Sequence, residues 1–298
     1  MARVSQNELI DRLVESCHTI VLLGGIDSGK TSFGLSLAEA ARRKSVPVAY
    51  VDAELDQSTV GPPSCVGLKF CTDLHKVDAQ TVRDADELGF VGSYTAEGNL
   101  TGVVAGTSRL VTHARDAGCR LVIVDTGTLV SGTDAELLKF HKLDLVRPDH
   151  VVGFQRGEEL DPILGVLSRF FSVDVTALKV DGETRERSVE DRLAAREEAI
   201  ASYFEPPLSR WRVKRTVFMP TLSPGTDARR LDGLLVGLED GKGKCRGIGL
   251  LEYQEEGDVL RMVSSVVTGA RGLRLGSVRL TVQGKTIGRF EAEEIFSS

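Results

Sequence analysis

Residues 18–24, HTIVLLG, are apolar without alternation, the pattern of a strand covered on both faces, and predict a first strand. An alanine-rich helical stretch over 30–44 follows, then VPVAYVD at 46–52 as a second strand. A helical pattern over about 100–117 precedes RLVIVD at 120–125, the third strand, and further strands are expected near 150–155 and 173–180. Strands spaced by helices predict βαβ units, so the expected class is α/β, with a parallel sheet flanked by helices.

After Glu205-Pro206-Pro207 the pattern changes to short strand-like runs: RWRVKRTVFM, LDGLLVGLED, GIGLLEYQ, VLRMVSSVV and LRLGSVRLTV. Gly-Lys-Gly, Glu-Glu-Gly-Asp and Gln-Gly-Lys turns separate them, which predicts a smaller all-β unit, an antiparallel sheet or barrel. Two domains are expected, 1–205 and 206–298.

Between the first strand and the first long helix lies Gly24-Gly25-Ile26-Asp27-Ser28-Gly29-Lys30-Thr31, a full match to G-x-x-x-x-G-K-[ST] in the strand-to-helix context that motif requires. Glycines let backbone N–H groups converge on phosphate oxygens at a helix start, where the helix dipole favours anions. Lys30 is then placed for terminal phosphates and the Thr31 hydroxyl for magnesium. The candidate nucleotide-binding set is Gly24, Gly25, Ile26, Asp27, Ser28, Gly29, Lys30, Thr31 and Ser32. The chain has only two asparagines, Asn7 and Asn99, neither followed by lysine, which disfavours a guanine-reading N-K-x-D loop. An L-S-G-G-Q signature is also absent. A phosphoryl-transfer or phosphate-sensing P-loop protein remains.

Composition narrows the setting. At 298 residues, 41% hydrophobic and 27% charged, the chain is an ordinary globular protein with no apolar run of bilayer length. The polar amino terminus lacks the apolar core of a secretory signal, so a cytoplasmic location is expected. Five scattered cysteines without a C-x-x-C pair and five unclustered histidines predict reduced thiols and no structural zinc. The formal net charge of -6 means that any nucleic-acid contact must be local, with Arg42-Arg43-Lys44 and the run Arg210, Arg212, Lys214, Arg215 as candidates.

Two strand ends carry acids: Asp52 with Glu54 and Asp56 beyond it, and Asp125. The carboxyl ends of parallel strands face the ligand crevice, where one carboxylate can hold magnesium and another can deprotonate an attacking hydroxyl. Asp52 and Asp125 join Thr31 as metal candidates; helix capping or pairing with Lys30 is the structural alternative. Ser188 and Asp191 predict the start of a helix over 189–204, with Arg187 just before it. Val189, Leu193, Ile200 and Phe204 share its apolar stripe, with Arg196 inside the stripe and Arg192 at its border. Neither arginine has an acid three or four residues away, so a bound phosphate or a carboxylate elsewhere in the fold should offset them.

Together the segments GGIDSGKT, VDAELDQSTVGPP from Val51, FVGS from Phe90, LVIVDTGTLVSG from Leu121, LVRPDHVVGFQRGEELDPIL from Leu145 and RSVEDRLAAREEAIASYF from Arg187 resemble the polynucleotide 5′-hydroxyl kinase family. Its eukaryotic branch includes the kinase subunit of the pre-mRNA cleavage complex and nucleolar rRNA-processing kinases. The resemblance implies transfer of the terminal phosphate of ATP or GTP to the 5′-hydroxyl of an RNA or DNA strand, with Mg2+. It implies that Asp27 organises the loop, that Glu54 fills the general-base slot, and that Gln57 lies beside the acceptor. It also implies that Thr126 and Gly127 belong to a clasp on the acceptor nucleotide, and that Arg187, Arg192 and Arg196 form a lid. Lys30, Glu54 and these three arginines are the candidate catalytic set.

Three departures stand out: Glu54 and Asp56 replace the family's usual aspartate and glycine, Leu129 replaces a clasp tryptophan, and Tyr94-Thr95-Ala96 follows Gly92-Ser93 where a proline is common. The short stretch before the first strand leads us to expect a stand-alone enzyme rather than a large-complex subunit. A nucleotide-binding scaffold without transfer activity, or a kinase for a small hydroxylated metabolite, are the alternatives.

Overall fold

A computed structural model describes residues 6–180, 186–223, 225–266 and 268–290; the outer ends of the two expected domain spans, 1–5 and 291–298, lie outside the described residues. The first part runs α1 (Gln6–Ser16), β1 (Thr19–Gly24), α2 (Lys30–Arg43), β2 (Val48–Ala53), β3 (Cys65–Phe70), β4 (Glu87–Phe90), α3 (Leu100–Asp116), β5 (Leu121–Thr126), α4 (Thr133–Val146), β6 (His150–Gln155), α5 (Asp161–Phe170), β7 (Asp174–Lys179) and α6 (Val189–Tyr203). The rest is β8 (Ser209–Arg212), β9 (Phe218–Met219), β10 (Leu234–Glu239), β11 (Cys245–Gln254), β12 (Val259–Ser264), β13 (Gly272–Leu280) and β14 (Thr286–Arg289).

Strands β2, β5, β1, β6 and β7 lie side by side in that order, all parallel. Every residue of β1, β2 and β5 is buried, as their unalternating apolar runs require. One face packs Val21, Val51 and Val124 against helices α3 and α4; the other packs Leu22, Tyr50 and Ile123 against Phe33, Leu37 and Ala41 of α2. The parallel order aligns Asp52 with Asp125 at the ends of β2 and β5, beside the turn into α2.

The sheet does not stop at β2. Strands β3 and β4 add antiparallel, and β11 joins the β4 edge through the pairing of Cys245 with Leu88. The late strands therefore extend the same sheet in the order β14-β13-β10-β11-β4. The expected late strands are present and pair antiparallel, with the short β9 as a parallel exception, but they form no detached barrel. The reason is a shared apolar layer: Cys65, Leu88 and Phe90 from the early strands pack with Leu235, Ile248, Leu250 and Val278 from the late ones. Phe90 lies directly over Gly237, where any β-carbon would overlap its ring. Lys244 pairs with Glu87 across the same seam.

Helix α6 is capped by the Ser188 hydroxyl, which accepts the Asp191 N–H at 3.0 Å. Its carboxyl-terminal half is anchored on the late strands: Ile200 and Phe204 are buried there, and the Tyr203 hydroxyl accepts the Ile248 N–H at 3.1 Å. Its amino-terminal half differs from the sequence expectation. Val189 and Leu193 are 67% and 40% exposed, because this half projects from the body toward the strand ends and has no apolar surface to cover it.

Candidate functional site

The loop between β1 and α2 folds back on itself. Gly24 leaves no room for a side chain, since a β-carbon there would lie 2.6 Å from Ser28 Oγ and 2.8 Å from Phe154 O. Gly29 opens α2 in the left-handed region at φ +87°, a conformation that favours glycine, and faces open space. Lys30 is buried, donating to Gly25 O at 2.7 Å and to Ser28 Oγ at 3.3 Å, and burial lowers its pKa. The Arg156 guanidinium at the end of β6 braces the loop from outside, donating to Ile26 O at 3.1 Å and Asp27 O at 3.0 Å.

Beside the loop, the Thr31 hydroxyl donates to Asp125 Oδ2 at 2.6 Å, and the buried Tyr50 hydroxyl donates to the same oxygen at 2.9 Å. Asp125 Oδ1 is buried without a hydrogen-bond partner among the described residues. An unsatisfied carboxylate oxygen next to a threonine hydroxyl fits a hard cation such as Mg2+, whose remaining ligands come from water and phosphate. No group of three His, Cys, Asp or Glu side chains suited to a metal occurs among the described residues.

Asp52 differs from its expected place in the metal set. Its Oδ1 accepts the Glu54 N–H at 2.9 Å, and its Oδ2 accepts those of Thr59 at 2.6 Å and Val60 at 3.1 Å. Burial, reinforced by the neighbouring Asp125 charge, raises its pKa. Backbone amides occupy both oxygens and the residue does not line the cleft, so its carboxylate shapes the 54–60 loop. Glu54, by contrast, lines the cleft. Its Oε1 accepts the Asp56 N–H at 3.0 Å and its Oε2 the Thr128 N–H at 3.2 Å, and burial is the main cause that raises its pKa. Thr126 ends β5 and Gly127 follows it, beside Glu54.

Arg187, just before α6, and Arg192 and Arg196 within it face this loop. Arg187 binds Asp27 twice, through its backbone N–H to Oδ2 at 2.8 Å and its Nε to Oδ1 at 3.2 Å. Arg192 donates to Arg187 O at 3.2 Å, and its own carbonyl accepts Gln57 Nε2 at 2.9 Å. Arg196 pairs with Asp56 and lies 4.4 Å from the centroid of the Tyr94 ring. The carboxylates that offset Arg187 and Arg196 are thus themselves part of the site. Lys30, Thr31, Glu54, Asp56, Gln57, Thr126 and all three arginines line one cleft of about 650 Å³.

Of the basic patches, Arg42 and Arg43 both bind Glu39 at 2.8 Å, while Lys44 binds Asp11 at 2.8 Å and Glu15 at 3.1 Å. That patch is neutralised within the fold. Arg210 pairs with Glu252 at 3.3 Å and Arg215 with Asp258 at 3.9 Å, which leaves Arg212 and Lys214 as the exposed cations of the second run with no ion pair among the described residues.

Sequence reading missed Tyr50, Arg156 and two buried lysines of α4, Lys139 and Lys142. Arg156 had a signal, since it directly follows a parallel strand at the ligand edge. The lysines had none, because a lysine on a helix ordinarily reads as exposed.

The fold and site define a P-loop nucleotide-binding protein of the phosphotransferase type, with an arginine-bearing helix over the cradle. Residues 24–206 match the family described as mRNA cleavage and polyadenylation factor CLP1 P-loop, and the chain belongs to that family. The chain is 25% identical to a polyribonucleotide 5′-hydroxyl-kinase of Methanocaldococcus jannaschii, covering 93% of this chain and 91% of that one. It is 27% identical to a polyribonucleotide 5′-hydroxyl-kinase of Thermococcus kodakarensis over 99% of both. Among solved structures, Clp1p in complex with Pcf11p shares the fold with a TM-score of 0.69 at 13% identity, covering 91% of this chain and 77% of that chain.

Proposed function

We propose that the protein is a polynucleotide 5′-hydroxyl kinase, moving the terminal phosphate of ATP or GTP to the 5′-hydroxyl of an RNA strand. The observation that carries this reading is the convergence of Ile26–Ser32 of the cradle, Glu54, and three arginines at and within a distant helix on one cleft. RNA is favoured over DNA because the relatives that match nearly the whole chain are named for polyribonucleotides.

In this reading the backbone amides of Gly25–Thr31 seat the phosphates, and Lys30 exchanges its bond to Gly25 O for a phosphate oxygen. Arg187, Arg192 and Arg196 meet negative charge as it spreads over the transferring group, the role in which such arginines are most effective. Thr31 and Asp125 would hold Mg2+, which when bound neutralises phosphate charge. Glu54 receives the proton of the acceptor hydroxyl; its raised pKa brings it toward the range suited to a general base. Gln57, Thr126 and Gly127 flank that hydroxyl.

A cytoplasmic setting belongs to the same reading, supported by five unpaired cysteines. No helix among the described residues is long and apolar enough to cross a membrane. In this reading the boundary at 205/206 is a functional division, with chemistry before it and lid support after it.

The test is transfer of labelled phosphate to 5′-hydroxyl oligonucleotides, RNA and DNA in parallel. Transfer by the wild type and its loss in Lys30→Ala are expected. Tight ATP binding with no transfer to either strand would overturn the proposal in favour of a silent nucleotide-binding scaffold.

A further inference from the structure

Lys139 is fully buried at 0% exposure, on a helix whose inward face also carries Ala135, Leu138, Lys142, Leu143 and Val146. Its Nζ donates to Thr126 Oγ1 and to Gly127 O, both at 2.9 Å. The Thr126 hydroxyl in turn donates a hydrogen bond to Leu22 O at 2.8 Å, so the amine ties the ends of β5 and β1 together under the cleft. Among the described residues no carboxylate is within hydrogen-bond reach of the amine. Burying an amine beside a second buried lysine, Lys142, is costly, and structural economy would place leucine or methionine there.

The second bond explains the cost. Gly127 C=O and Thr128 N–H belong to one peptide unit, and that N–H donates to Glu54 Oε2 at 3.2 Å. One amide plane therefore joins the buried amine to the carboxylate in the cleft. Hydrogen bonds in series polarise each other, so a donor on the carbonyl strengthens the N–H as a donor to Glu54. The amine also fixes the plane itself. The residue flanking it, Gly127, has no side chain to resist rotation, and a β-carbon there would lie 3.7 Å from Glu54 Oε2.

We propose that Lys139 is a positioning residue: through the Gly127–Thr128 peptide it sets the orientation of Glu54 and of the acceptor-side turn, without touching substrate. The proposal rests on the kinase reading for its kinetic consequence and on geometry alone for its structural one. Lys142 supplies the internal comparison. It lies one turn along α4, is 1% exposed, and its Nζ has no hydrogen-bond partner among the described residues. Removing it takes away a buried amine but no bond to the turn.

The experiment compares Lys139→Met with Lys142→Met, each checked for thermal unfolding and ATP binding. Lys139→Met is expected to lower kcat for oligonucleotide phosphorylation by about 10- to 100-fold, the scale of a roughly 1 Å misplacement of a reacting group. The KM for the oligonucleotide should rise severalfold while that for ATP stays within twofold. Lys142→Met should leave all three near wild type. Hydrogen exchange at the Thr128 amide gives a readout that needs no activity: it should quicken in Lys139→Met and not in Lys142→Met. Lys139→Gln, with a shorter donor, is the second variant should methionine disturb folding, and its Thr128 amide should also exchange faster.

A wild type that phosphorylates no oligonucleotide would sink the kinase reading and leave the exchange result to decide this one. Unchanged Thr128 exchange in the Lys139 variants, or equal kinetic losses in Lys139→Met and Lys142→Met, would overturn the positioning role.

Discussion

Asp27, inside the phosphate loop, and Arg187, at the threshold of α6, are joined by two hydrogen bonds across 160 positions of sequence. The carboxylate accepts one backbone and one side-chain donor from the same residue, so the helix is gripped where it begins. Arg187 is 51% exposed on its side chain, and such pairs are worth about 0.2–1 kcal/mol. Asp27→Ala should therefore change unfolding by less than about 1 kcal/mol. If the pair holds the helix start over the cradle, the KM for ATP should rise while thermal unfolding barely moves.

The cradle and its cation site make separable predictions. Lys30→Ala should reduce transfer by about 100- to 1000-fold, the usual effect of removing one charge-stabilising donor. Asp125→Asn keeps the bond from Tyr50 within reach but removes the charge next to Thr31. It should shift the Mg2+ dependence of transfer to higher concentration, read from Mg2+ titrations at saturating ATP. Unchanged Mg2+ dependence would dissociate Asp125 from the cation.

Glu54→Gln retains the acceptor for the Thr128 N–H and loses the proton-accepting charge. A general base contributes about 100- to 10,000-fold. Single-turnover transfer should fall within that range, with ATP affinity preserved. Full retention of rate would place the proton elsewhere.

Stability at low pH should depend on Glu39. It accepts hydrogen bonds from Arg42, Arg43 and the Val77 N–H, and Arg42 is the main reason that its pKa falls from 4.5 to about 2. A carboxylate depressed in the folded state gives its full stabilisation above its unfolded pKa and loses it as pH falls through the folded one. The Glu39 contribution should hold above about pH 4.5 and vanish toward pH 2. Urea unfolding of Glu39→Gln against wild type should show a clear deficit at pH 6 and a much smaller one at pH 2.5.

Gly237→Ala should disturb the seam between early and late strands, because its new methyl would overlap Phe90. Overpacking of this kind costs about 1–3 kcal/mol. Denaturant melts followed by tryptophan fluorescence would report it, since the single tryptophan, Trp211, packs in the late-strand core.

Much of the parallel core was legible because β1, β2 and β5 are covered on both faces and so are written as apolar runs. The phosphate loop was legible for a different reason: its backbone demands glycine at fixed places. Strands β3 and β4 were not: β4 has only four residues, and Lys69 and Glu87 interrupt the apolar pattern of the pair. Helix α4 escaped because the lysines on its buried face erase the apolar period. The placement of Arg196 against Asp56 could not be read from spacing, since it depends on how a helix 140 residues later is seated.

That seating lies outside the chemistry. Helix α6 rests on β11 and its neighbours through Ile200, Phe204 and the Tyr203 bond to Ile248, while its free end carries the guanidinium groups. The late strands are thus a fulcrum and the helix a lever. A small change in side-chain volume near Ile248 would be magnified at Arg187 and Arg192, and would register as altered triphosphate affinity although nothing near the triphosphate had been touched.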